Sequence, residues 1–126
     1  MSPEIKLAEA LLSRTEALRS HSLRMACWIA RNALEKVVDE LLEMKDAAAP
    51  GANMRTRLVA LEVLYRVDDA AIALRAEYAW SRLSNACHFH AFELTPSLAE
   101  VRSLVELVAD LEATAEKGRT GAAPAA

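Results

Sequence analysis

The chain is predicted to be an all-α, up-and-down antiparallel helical bundle of four long helices plus one short helix, and three observations predict it. Only 3 Gly and 4 Pro occur in 126 residues, so few positions break the backbone pattern. The composition is 53% hydrophobic and rich in Ala, Leu, Glu and Arg, all good helix formers. The apolar residues recur at helical rather than alternating spacing. Residues 1–117 are expected to form one domain, long enough to bury a core without disulfide or metal staples. The segment 118–126, GRTGAAPAA, is expected to be a disordered tail.

The first helix starts where Ser2, Pro3 and Glu4 supply a capping hydroxyl, a proline at the first helical position and an acid at the positive dipole end. It is expected to run to about Ser20. A second helix opens at Ser22, with Leu23, Ala26, Cys27, Ala30, Leu34, Val37, Val38 and Leu41 on one face and Arg31, Asp39, Glu40 and Glu43 on the other. Pro50 and Gly51 interrupt the pattern. The short helix MRTRLVALEVLYR follows, and Asp68 or Asp69 can cap a fourth, from about Ala70 to about Phe92. The last is signalled by Thr95 before Pro96 and by Ser97 with Glu100 as a capping box, and should reach about Lys117.

Composition also narrows the function classes. A net charge of −3 gives no global attraction to nucleic acid, so any RNA contact must be local. The two cysteines, Cys27 and Cys87, lie in helical segments among small or apolar neighbours, as reduced thiols do. The start of the sequence has no secretory pattern and no apolar run approaches the ~18 residues of a membrane span, so a cytoplasmic protein without membrane contact is expected.

The segment 70–92 carries two apolar stripes. Ile72, Ala76, Ala79, Leu83, Cys87, His90 and Leu94 form one, and Leu74, Tyr78, Ser81, Asn85, Phe89 and Phe92 form the other. A helix apolar on two sides is either central in its bundle or covered by a partner; a homodimer with this helix near the interface is expected. His90 falls within the first stripe and is expected to be a packed core histidine, whereas Arg82, Asn85 and His88, spaced by three, climb one side of the helix. A guanidinium, an amide and an imidazole so placed can hold a phosphate and move a proton. The competing reading of these three residues is a solvated polar seam. Cys87, His88 and His90 are metal-ligand types, but adjacent side chains diverge around a helix and Cys27 would have to reach across the bundle. No metal ion or cofactor is expected. Trp28 and Trp80 are expected to anchor packing rather than stack on bases.

Arg82, five intervening residues, His88 and the following FHAFELTPSLAEVRSLVELV, at the end of the penultimate long helix of a small bundle, resemble the HEPN superfamily. That family includes metal-independent endoribonucleases of bacterial toxin–antitoxin, antiphage defence and CRISPR-associated systems. The resemblance implies RNA as substrate, a protein partner or inhibitor encoded nearby, and a homodimer whose two Arg/His pairs face each other. In that arrangement His88 assists attack of an RNA 2′-hydroxyl on the adjacent phosphate and Arg82 stabilises the charge that develops there. On an ideal helix the two side chains point about 120° apart, so a second chain or a loosening of the helix before His88 must bring them together. The alternative of a different class is a non-catalytic helical dimerisation or adaptor module in which the same residues only cap and hydrate a helix end.

Overall fold

The Ser2 Oγ accepts the Ile5 N–H at 3.2 Å, and with Pro3 and Glu4 it starts helix α1, Pro3–Leu12. The computed structural model describes residues 1–13, 19–87 and 96–121, the side chains of 19–21 and 121 excepted. Helix α2 spans Arg19–Glu43, α3 Met54–Tyr65, α4 Ala70–Cys87 and α5 Leu98–Gly121. The protein is an all-α helical bundle.

The bounds differ from expectation at three places. First, α1 ends at Leu12 instead of near Ser20: the Ser13 hydroxyl donates to the Glu9 carbonyl at 3.0 Å, and its N–H is shared between the carbonyls of Glu9 and Ala10. That competition with the helical ladder tightens and closes the last turn. Second, α2 opens at Arg19 rather than at Ser22, and it ends at Glu43, just ahead of the break that DAAAPGAN over 46–53 predicts. Asp46 adopts φ 55, the Ala47 N–H reaches the Leu42 carbonyl at 2.9 Å and the Asp46 N–H reaches Glu43 at 3.0 Å, the bonding of a Schellman cap. An aspartate tolerates this left-handed conformation better than most side chains. Third, α5 continues four residues past Lys117, through part of the expected tail. Its last turn is tied to α2 by Arg119 Nη1 donating to Glu40 Oε2 at 2.9 Å, and Gly118 lies so close to Met44 that a Cβ there would sit 2.5 Å from the methionine methyl.

Among the described residues, the caps at Asp69 and Ser97 form as the sequence predicts, and Asn53 supplies a further one. Asn53 Oδ1 accepts the Thr56 N–H at 2.9 Å, Asp69 Oδ1 accepts the Ala71 N–H at 3.2 Å, and Ser97 Oγ accepts the Glu100 N–H at 3.1 Å. Thr95 lies outside the described residues.

Helix α2 packs against all four other helices, and α5 packs against α1, α2 and α4. Glu4 pairs with Lys36, Ser2 N donates to Glu112 Oε1, and Arg31 meets Trp80; these contacts make α1, α2, α4 and α5 alternate in direction. Helix α3 is the insertion. The 44–53 connection carries the chain back along α2, so α3 begins beside Asp39, which pairs with Arg57 at 2.9 Å, and ends where the Tyr65 hydroxyl donates to the Leu41 carbonyl at 2.7 Å. The turn at 66–69 then returns the chain antiparallel as α4.

The core is apolar. Leu34, Val37, Val38, Leu41 and Leu42 of α2 are buried with Leu61 of α3, Leu83 of α4 and Val101, Val105, Val108 and Leu111 of α5. Each such side chain contributes roughly 1.5–3 kcal/mol by leaving water. The four surface ion pairs among the described residues, Lys45 with Asp68 and Arg119 with Glu40 included, fix little more than local geometry, at about 0–1 kcal/mol each. Among the described residues, no helix is long and apolar enough to cross a membrane.

Burial pushes the Tyr65 phenol above its ordinary pKa, with Lys45 beside the ring pulling the other way. The folded protein therefore holds this proton more tightly than the unfolded chain, and the resulting stability is present below about pH 10 and lost as pH rises through the raised folded value. In chemical denaturation the advantage of wild type over Tyr65→Phe, about 0.5–1.5 kcal/mol at pH 8, should shrink as pH rises above about 10. A difference constant over that range contradicts the assignment.

Candidate functional site

Two ridges face each other across the α2–α4 contact. On α2, Arg24, Trp28 and Arg31 stand at i, i+4 and i+7; on α4, Trp80, Ser84 and Cys87 repeat the same spacing. The Arg31 guanidinium carbon lies 4.3 Å from the Trp80 ring centroid and 5.5 Å from that of Trp28. Stacking occupies the faces of a guanidinium and leaves its N–H edge free to donate. Arg31 Nε and Ser84 Oγ are both buried and have no hydrogen-bond partner among the described residues. A buried donor left without a partner costs about 1–3 kcal/mol.

The positive charge of this ridge reaches the end of α4. Burial pushes the Cys87 thiol up, and the charges of Arg31 and Arg24 act against that rise. Cys27, buried on α2, is pushed up to about 12 by desolvation and by the nearby Cys87. The two thiols thus approach each other inside the bundle, both free and both poor nucleophiles, since the thiolate is the reactive form. Among the described residues no group of three or more His, Cys, Asp and Glu side chains could hold a metal ion.

The sequence-predicted site residues are distributed differently. Arg82 is exposed, lies with its guanidinium carbon 5.7 Å from the Tyr78 ring, and lines a hollow between α4 and α5 with Glu100 and Ser103. Asn85 is also exposed and lines a separate groove of about 400 Å³ between α3 and α4, together with Arg55, Glu62, Glu77, Trp80 and Ser84. The structure therefore directs Arg82 and Asn85 to neighbouring but distinct depressions. His88 and His90 lie outside the described residues. The first stripe of α4 is buried at Ile72, Ala76, Ala79, Leu83 and Cys87; the second is exposed at Leu74, Tyr78, Ser81 and Asn85.

Arg31 is a correction. It was expected on the solvent side of its helix with Asp39, Glu40 and Glu43, and instead it is half-buried between two indoles. Arg57 is committed to Asp39 and to the Ala52 carbonyl. Sequence reasoning missed Arg24 and Arg31 as site residues, although the signal was legible in two aromatic–polar ridges of matching spacing. No protein-family profile, curated protein or solved structure matches the chain.

With both thiols buried and held protonated, neither Cys27 nor Cys87 should react with a disulfide reagent in the native protein at pH 8, and both should react on unfolding. Fast native-state modification of either thiol contradicts this burial.

Proposed function

We propose that this chain is a HEPN-like, RNA-acting helical module, a metal-independent endoribonuclease in which His88 moves a proton and arginines hold the scissile phosphate. The observation that carries the reading is the Arg31 guanidinium set against Trp80 and Trp28 in the α2–α4 seam, with its buried Nε unpartnered among the described residues; its charge and that of Arg24 act on Cys87, the residue immediately before His88. The net charge is negative, so a local cluster of this kind is the arrangement that an RNA-binding acidic protein requires.

In this reading the RNA 2′-oxygen loses its proton to a base and forms a bond to phosphorus. The P–O bond to the 5′-oxygen breaks, and that oxygen takes up a proton, leaving a 2′,3′-cyclic phosphate and a 5′-hydroxyl. His88 carries an imidazole, a group able to give or take a proton, and serves one or both proton transfers. Arg31 supplies a preorganised N–H edge, its plane fixed by Trp28 and Trp80. Arg82, on the other flank of α4, reaches the same phosphate from a second copy of the chain, which pairs through the exposed stripe of Leu74 and Tyr78.

A second reading is favoured by a different observation. Val59 and Val63 on α3, Val67 in the turn, and Leu74 and Tyr78 on α4 are all exposed, apolar surface that suits a non-catalytic dimerisation or adaptor module.

Purified protein should cleave single-stranded RNA without added metal, and His88→Ala should slow cleavage by about 10²–10⁴-fold at unchanged melting temperature. RNA left intact by folded, nuclease-free protein sinks the catalytic reading and leaves the adaptor.

A further inference from the structure

The groove between α3 and α4 is polarised along its length. The two helices are antiparallel about the 66–69 turn, so Glu62 stands nearest the turn and Glu77 next, Arg55 faces the level of Trp80 beyond them, and Asn85 stands farthest. Among the described residues Arg55, Glu62 and Glu77 form no ion pair. The wall also contains the buried Ser84 hydroxyl, which has no partner. Trp80 is held from its α2 side by the Arg31 guanidinium, so the indole is a fixed rather than a mobile wall. At about 400 Å³ the groove falls within the size range of small-molecule sites.

We infer that this groove binds a guanine-type base, a planar heterocycle with adjacent N–H donors on one edge and carbonyl and ring-nitrogen acceptors on the next. Ionised carboxylates only accept hydrogen bonds, and the N1–H and 2-amino group of guanine present two parallel donors to such a group. Beyond the two carboxylates, a guanidinium is the favoured partner for guanine O6 and N7, and the Asn85 amide adds a donor. The ring packs against Trp80. Uracil places acceptors on both sides of its single N–H, and adenine presents an unprotonated N1, so both put lone pairs against Glu62 and Glu77. Hypoxanthine keeps the ring and O6 but lacks the amino group, which isolates the carboxylate contact.

The assignment rests on the RNA reading only for the source of the base, which is either an unpaired guanosine of an RNA strand or a free guanine nucleotide. Calorimetric titration of the wild-type protein with GMP, IMP and UMP, and of Glu77→Gln with GMP, tests the site without any cleavage step. GMP should bind at least about 10-fold more tightly than IMP or UMP, and Glu77→Gln should weaken GMP about 10-fold at unchanged melting temperature. Equal affinity for the three nucleotides, no saturable heat with GMP, or GMP binding indifferent to Glu77→Gln overturns the proposal. The two readings fail separately. RNA cleavage without guanine preference removes this site and keeps the nuclease, whereas selective GMP binding by a protein that leaves RNA intact keeps the site, as one for free nucleotides.

Discussion

The contact between α2 and α4 is the constraint on which the rest of the molecule depends. Helix α2 buries Ala26, Cys27, Ala30 and Ala33, and α4 buries Ala73, Ala76 and Ala79. Small side chains on the buried faces of the two helices favour a close approach of their backbones, and bulkier ones lie at the flank of the seam. Trp28 and Trp80 stand there, and a guanidinium fills the space beside them. Because α2 also touches α1, α3 and α5, a change in this spacing is transmitted to every helix of the bundle.

Most of the architecture was legible in the sequence because it is written in periodicity and caps. The face from Leu23 to Leu41 is buried as its spacing requires, and so is the stripe from Ile72 to Cys87. The helix ends were less legible. Ser13 closes α1 through a side-chain bond to Glu9 that an equally placed serine elsewhere in a helix need not make, and Asp46 takes a left-handed conformation that the sequence signals less strongly than the Pro50–Gly51 pair that follows. The end of α5 is set by distant partners, Glu40 and Met44, and tertiary contacts of that kind have no local signature.

The site was legible only in part, and for a related reason. A helical wheel places Arg82 and Asn85 near each other on one helix, but which depression each one lines is decided by the helices alongside: α5 beside Arg82 and α3 beside Asn85. The wheel likewise gives Arg31 a polar neighbourhood with Asp39, Glu40 and Glu43, whereas α4 supplies an aromatic one. Seen together, the α2–α4 seam and the α3–α4 groove share Trp80 and Ser84. The indole of Trp80 is thus a common wall, with the Arg31 guanidinium on one side and the polarised groove on the other.

The central claim is that Arg24 and Arg31 hold backbone phosphate, and the dependence of single-stranded RNA affinity on salt reads it directly. Each phosphate contact contributes about 0.7 to the slope of log affinity against log salt. Between about 50 and 200 mM salt, the slope for folded Arg24→Gln/Arg31→Gln protein should be shallower than wild type by about 1.4. An identical slope in the two proteins contradicts the account.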